Sequence, residues 1–206
     1  MNASSKVFLV DDEPELCLAL ERVLRTEGLD VESFGSADAF LERLPAIDAG
    51  CVVLDVAMPG IDGLELQERL AGRRTKLSVV FLTGHGDIPM SVRAIKAGAV
   101  DFLTKPVKRS DLLRAVRAAL ERADAQQALL RATNQLRARL AQLTPREREV
   151  FEHVISGRLN KVIAARLGTT EHTIKVHRGR VMEKLGVASV AELVRLAQQL
   201  DVTPAP

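Results

Sequence analysis

Val7-Phe8-Leu9-Val10-Asp11-Asp12 and, further along, Cys51-Val52-Val53-Leu54-Asp55 share one design: a short aliphatic and β-branched run that ends in carboxylate. Runs of this length and composition read as buried strands. Working outward, Val79 to Leu82 and Phe102-Leu103 repeat the pattern, and Leu29 to Phe34 is a weaker version of it. Helical periodicity fills the intervals: Glu15 to Glu27 closed by Gly28, Ala37 to Leu44, Leu64 to Leu70, Ile88 to Lys96 closed by Gly98, and a last pattern from Ser110 onward. Apolar strands alternating with helices imply a parallel sheet covered on both faces, a doubly wound α/β domain.

In such sheets the working groups collect at the carboxyl ends of the strands. Here the first strand ends in Asp11-Asp12, the third in Asp55, the fourth in Thr83 and the fifth in Thr104-Lys105-Pro106. If the first and third strands are neighbours, these carboxylates converge, and their mutual repulsion calls for a divalent cation, most naturally Mg²⁺. A carboxylate beside such a cation, with a hydroxyl and an ammonium nearby, is equipped to accept a phosphoryl group. Asp55 would attack, Thr83 would bond one phosphoryl oxygen, and Lys105 would neutralise charge. Each residue alone has an ordinary explanation: Asp11 or Asp12 as a helix cap near Pro14, Thr83 as a turn former, Lys105 as a solvated charge, Phe102 as core. Together they form a chemical set. His85 reads as a solvent-facing loop residue rather than a catalytic one.

The order Asp11-Asp12, Asp55, Thr83 and Lys105-Pro106, with Met58-Pro59-Gly60 after Asp55, resembles the receiver domain of two-component response regulators. Gly84-His85-Gly86-Asp87-Ile88-Pro89-Met90 and Ala97-Gly98-Ala99-Val100-Asp101-Phe102 are similar to the FixJ-like branch of that family. The resemblance implies a flavodoxin-like sheet of order 2-1-3-4-5 and phosphorylation of Asp55 by a sensor histidine kinase. It also implies Mg²⁺ (or Mn²⁺) ligated by Asp12, Asp55 and the Ala57 carbonyl, with Asp11 acting through metal-bound water. Thr83 and Lys105 would stabilise the phosphoryl group, Thr83 and Phe102 would switch position, and the peptide before Pro106 would be cis. Phe102 stands where many relatives carry Tyr, which excludes a hydroxyl-dependent version of the switch.

Beyond Asp111 the helical pattern runs without Gly or Pro to Leu143, and Leu129, Thr133, Leu136, Leu140 and Leu143 form a short heptad seam. That seam suits pairing of two chains, a solvated connector, or packing on its own domain. Thr144-Pro145-Arg146-Glu147 is a capping box with Pro at the first helical position, so a new helix begins sharply and runs to about Ser156. Leu159 to Leu167, Glu171 to Leu185 and Ala191 to Leu200 follow, the last capped by Ser189 with Glu192. The middle two, joined by the turn Gly168-Thr169-Thr170, make a helix-turn-helix. On the second of them Ile174, Val181 and Leu185 share a core face, while Lys175, Val176, Gly179, Arg180 and Glu183 point broadly opposite. Lys and Arg there suit guanine edges and phosphates, Val a thymine methyl; Lys161, His177 and Arg178 suit the DNA backbone.

Residues 144–189, with Asn160-Lys161-Val162-Ile163-Ala164 and Thr173-Ile174-Lys175-Val176-His177, resemble the LuxR-type DNA-binding domain, an all-α four-helix unit. The resemblance implies a DNA-binding set of Lys161, Thr173, Lys175, Val176, His177, Arg178 and Arg180, with base contacts from Lys175 and Val176 and phosphate contacts from Lys161 and His177. Gly179 departs from relatives with a long side chain there, leaving Arg178 or Arg180 to substitute. The expected division is a receiver over 1–122, a helical linker over 123–142 and the DNA-binding domain over 143–206, with a disordered tail from Asp201 to Pro206.

Charge divides in the same way: residues 1–122 carry 16 Lys/Arg against 19 Asp/Glu, a net of −3, and residues 123–206 carry 13 against 8, a net of +5. A cation-binding half and a polyanion-binding half are implied. The chain has no Trp or Tyr, which disfavours stacking platforms for single-stranded nucleic acid. Cys17 and Cys51 are too few for a disulfide framework or thiolate metal site. Without a membrane-length apolar run or a signal-peptide pattern, a cytoplasmic location is expected.

Taken together, phosphorylation would drive homodimerisation through the fourth helix and fifth strand, binding to double-stranded promoter DNA, and recruitment of RNA polymerase. No membrane is involved, and there is no enzymatic turnover beyond the receiver's own phosphorylation and dephosphorylation. A haloacid-dehalogenase-like phosphatase would need a second carboxylate two residues after the nucleophile, where Ala57 stands. A phosphate-independent interaction module would not be expected to retain every acid together with Thr83 and Lys105.

Overall fold

The computed structural model describes residues 6–71, 76–84 and 88–205, in two compact units, Met1–Ala128 and Leu129–Pro206. In chain order the first unit contains β1 (Lys6–Val10), α1 (Pro14–Thr26), β2 (Asp30–Phe34), α2 (Ala37–Arg43), a 3₁₀ turn (Leu44–Ala46) and β3 (Ala49–Leu54). There follow α3 (Gly63–Ala71), β4 (Lys76–Thr83), α4 (Ile88–Lys96), β5 (Asp101–Thr104) and the start of α5 (Arg109–Ala141). The strands are parallel in the order β2-β1-β3-β4-β5, the flavodoxin-like arrangement expected.

Strand parity sorts the side chains into two cores. Phe8, Val10, Val52, Leu54, Val79 and Phe81 face α2, α3 and α4. Val7, Leu9, Cys51, Val53, Val80 and Leu82 face α1 and α5. Central β3 is buried along its whole length, so its sequence shows no polar alternation; edge strand β2 is partly exposed, which explains its weaker apolar run. Because β1 lies beside β3, with the Asp55 N–H donating to the Val10 carbonyl at 2.9 Å, the acidic ends of both strands emerge together.

The unit boundary falls within α5, whose far end belongs to the second unit. The heptad seam divides: Leu129 is exposed, whereas Leu140 and Leu143 are buried with Leu136 packed beside them. The lower seam therefore serves its own unit's core.

The second unit adds α6 (Pro145–Ile155), α7 (Asn160–Arg166), α8 (Glu171–Leu185) and α9 (Val190–Gln199). Thr144 Oγ1 accepts from the Glu147 N–H at 3.3 Å and Glu147 Oε2 accepts from the Thr144 N–H at 2.9 Å, the reciprocal capping box. Ile174, Val181 and Leu185 of α8 join Phe151, Ile163 and Leu193 in the core. α7 is shorter than the sequence suggests, since Leu159 and Leu167 are its flanking cap residues. The expectation of a disordered tail is corrected for Asp201 to Ala205, Pro206 lying outside the described residues: Val202 packs on the core and its N–H donates to the Ala197 carbonyl, while the Ala205 N–H reaches the Glu152 carbonyl at 3.1 Å. An apolar residue two past Leu200 has a surface to cover, which composition alone does not reveal.

Candidate functional site

Strand ends bring the acids together. One carboxylate oxygen from each of Asp11, Asp12 and Asp55 lies within 4.8 Å of the others. Asp11 and Asp55 are buried and Asp12 is exposed. From the end of β5, Lys105 Nζ reaches Asp11 Oδ2 at 2.8 Å and Asp55 Oδ1 at 3.6 Å. The Lys105–Pro106 peptide is cis.

The electrostatics are those of crowded, dehydrated charge. Burial pushes the Asp55 carboxyl above its ordinary value, and the charge of Asp11 pushes the same way; Lys105 and the Val56 and Ala57 N–H groups pull it back. Burial works against the Lys105 charge, but hydrogen bonds to Asp11 and Glu13 outweigh it and hold the ammonium above the usual lysine value. A single ammonium leaves this set of carboxylates with excess negative charge. Hard oxygen donors in such a cluster fit Mg²⁺ or Mn²⁺. Asp11 already spends one oxygen on Lys105 and the other on the Glu13 N–H at 2.9 Å, which suits it to an indirect, water-bridged part in holding a cation.

Thr83 and Phe102 stand on neighbouring strands. Thr83 is buried at the end of β4, and its carbonyl accepts the Lys105 N–H at 2.7 Å. Phe102 pairs in register with Phe81, and the rings lie 5.9 Å apart. By strand parity Thr83 shares the face of Phe81 and Phe102, the side covered by α3 and α4. Ala57 is exposed in the turn after Asp55. His85, with Gly86 and Asp87, lies outside the described residues.

Some contributors were not foreseen. Glu13 Oε1 pairs with Lys105 Nζ at 2.8 Å. Gly63 opens α3 so close to the end of β3 that a Cβ would collide with the Asp55 carbonyl oxygen. Buried Gln67 of α3 donates to the Ala94 carbonyl of α4 at 3.1 Å. The acid at Glu13, next to Asp11-Asp12, was the available clue to the first; the others depend on packing.

In the second unit Thr170 caps α8 by accepting from the Thr173 N–H at 3.2 Å, and Gly186 ends it in the left-handed conformation at φ 68°. Lys161, Lys175, Val176, Gly179 and Arg180 are exposed. Thr173, His177 and Arg178 are half-buried: the Thr173 hydroxyl meets that of Thr170 at 2.9 Å, and the Arg178 guanidinium donates to Asn160 Oδ1 at 3.1 Å, tying α8 to α7. The outward face of α8 thus offers cations around an apolar Val176, on a helix anchored at both ends. No helix among the described residues is long and apolar enough to cross a membrane.

A doubly wound sheet with this acid cluster, joined to a helix-turn-helix unit, defines a class, and comparison with known proteins agrees. The response regulator receiver domain matches residues 7–117, and the luxR family of bacterial regulatory proteins matches residues 141–197. The chain belongs to the two-component response regulators that carry a LuxR-type DNA-binding domain, and so to the regulators of transcription. It is 43% identical over 196 residues to the response regulator protein TmoT of Ectopseudomonas mendocina, covering 95% of this chain and 89% of that one. To the transcriptional regulatory protein FixJ of Azorhizobium caulinodans it is 42% identical over 205 residues, 100% of this chain and 97% of the relative. The solved structure of the response regulator StyR shares 43% identity and a TM-score of 0.83, covering 94% of this chain and 98% of that chain. These relatives are named as regulators, not as catalysts.

Proposed function

We propose that Asp55 is the phosphoacceptor, that a sensor histidine kinase is the donor, and that the modified chain dimerises to bind promoter DNA and regulate transcription, most simply by activation. The observation that carries this reading is the position of Lys105: a half-buried ammonium reaching both Asp11 and Asp55 within a cluster of carboxylates. An Asp55 oxygen forms a P–O bond as the P–N bond of the donor phosphohistidine breaks, and the electron pair leaves on the imidazole nitrogen. Lys105 and the Thr83 hydroxyl then hold the new phosphoryl oxygens. Asp12, Asp55 and the Ala57 carbonyl would ligate Mg²⁺ or Mn²⁺, with Asp11 acting through water; when bound, that ion neutralises phosphoryl charge. The chain promotes only its own phosphorylation and dephosphorylation.

Thr83 and Phe102 are the switch, lying on one face of the sheet beside α4. The exposed side of α4 carries Ile88, Val92 and Ile95, exposed by 80%, 45% and 46%. Such a stripe is suited to isologous pairing through α4 and β5. Lys161, Thr173, Lys175, Val176, His177, Arg178 and Arg180 form the DNA face, Arg178 through its hold on Asn160. Residues 1–122 act as receiver, 123–142 as linker and 143–206 as DNA reader, in the cytoplasm, with RNA polymerase as the downstream partner.

Treatment with acetyl phosphate and Mg²⁺, read by mass spectrometry and light scattering, tests the receiver half. Wild type is expected to gain one phosphoryl group and double its mass, and Asp55→Ala to do neither. An adduct of equal yield in Asp55→Ala would overturn the assignment.

A further inference from the structure

Lys105 is shared among more acids than the acceptor chemistry requires. Its Nζ lies 2.8 Å from Asp11, 3.6 Å from Asp55 and, on the solvent side, 2.8 Å from Glu13. Glu13 is the residue before α1, yet its side chain makes no capping hydrogen bond, and Pro14 occupies the first helical position. The helix start therefore does not explain where this carboxylate points. Glu13 is 62% exposed while Lys105 is only 15% exposed, so a freely hydrated acid has turned onto a half-sheltered ammonium. Its backbone is fixed for that purpose, because the Glu13 N–H is held by Asp11 Oδ1 at 2.9 Å.

We infer that Glu13 is a positioning residue that competes with the phosphoryl group for Lys105, and so sets how tightly the site holds phosphoryl-like anions. This rests on the reading of Asp55 as phosphoacceptor. In the resting chain the pair holds Lys105 toward the mouth of the cleft, closer to Glu13 than to Asp55. A phosphoryl group arriving on Asp55 adds negative charge between them, and Lys105 satisfies it by giving up Glu13. The carboxylate left behind faces the new anion unpaired. Resting affinity and the stability of the modified state are thus lowered together, and neutralising Glu13 relieves both. Exposure keeps the effect modest, since solvent screens such a pair.

The test is titration of beryllofluoride, a phosphoryl mimic, at saturating Mg²⁺ on the full chain of wild type, Glu13→Gln and Asp55→Ala. Fluorine NMR is the readout, because the chain lacks Trp and Tyr for fluorescence. Mg²⁺ alone is titrated in parallel by calorimetry. Glu13→Gln is expected to bind beryllofluoride about two- to fivefold more tightly while its Mg²⁺ affinity is unchanged or lower. General damage to the cleft would weaken both, so tighter beryllofluoride binding without tighter Mg²⁺ binding identifies the competition for Lys105. Equal or weaker beryllofluoride binding by Glu13→Gln overturns the inference. Undiminished binding by Asp55→Ala overturns instead the phosphoacceptor reading beneath it.

Discussion

Replacing Glu147 with Gln should loosen the DNA-binding unit without changing its shape. Glu147 is 3% exposed, accepts from Lys184 Nζ of α8 at 2.6 Å, and closes the capping box of α6. Lys184 first, then the Thr144 backbone, hold its carboxyl down to about 2, against an ordinary value of 4.5. A depression of that size corresponds to at most about 3 kcal/mol. Lys184 is 33% exposed, and solvent screening reduces the expected contribution to about 1–2 kcal/mol. Gln keeps the capping geometry and loses the charge. The lost stability should lower the melting temperature of this unit by roughly 4–15 °C, while the receiver transition, read in the same calorimetric scan, stays in place. Because the folded carboxyl is the stronger acid, its contribution is complete above the unfolded value near 4.5 and drains away as pH falls toward about 2. The gap between wild type and Glu147→Gln should therefore narrow from pH 7 to pH 3. No gap at pH 7, or an equal gap at both, would refute the reasoning.

Gly63→Ala should drive α3 away from the Asp55 carbonyl; about 1–3 kcal/mol of receiver stability is expected to be lost, measured by urea unfolding, together with slower phosphorylation by acetyl phosphate. Lys161→Ala should weaken DNA binding nearly uniformly across sequences and reduce the slope of log affinity against log salt by about 1, whereas Lys175→Ala should also relax sequence preference in a selected-pool assay. Ile95→Glu, on the exposed side of α4, should leave phosphorylation intact and abolish the dimer that light scattering is expected to show for the treated wild type.

The receiver was legible because its chemistry sits at strand ends. Burial makes β1, β3 and β4 apolar, and each polar residue that terminates such a run stands out in the sequence. Helix ends were equally plain wherever a side chain or glycine closes them, as at Thr144, Thr170 and Gly186. Contacts between distant elements were not. Gly63 looks like any turn glycine until the Asp55 carbonyl is placed above it, and Glu13 looks like surface charge until β5 delivers Lys105. The leucines of α5 share one heptad spacing, yet Leu129 faces solvent and Leu140 the core of the second unit, because spacing defines a stripe and not what covers it. The tail shows the same limit: Val202 has the composition of a loose end and the environment of a core residue.

Phosphorylation-gated DNA binding is tested most directly by titrating a selected DNA duplex, with Mg²⁺ present, against untreated chain, acetyl-phosphate-treated chain and treated Asp55→Ala. Tight binding by the treated wild type alone is the expected result. Equal binding by all of them would contradict the receiver's role as the switch, while leaving DNA binding by the LuxR-type unit intact.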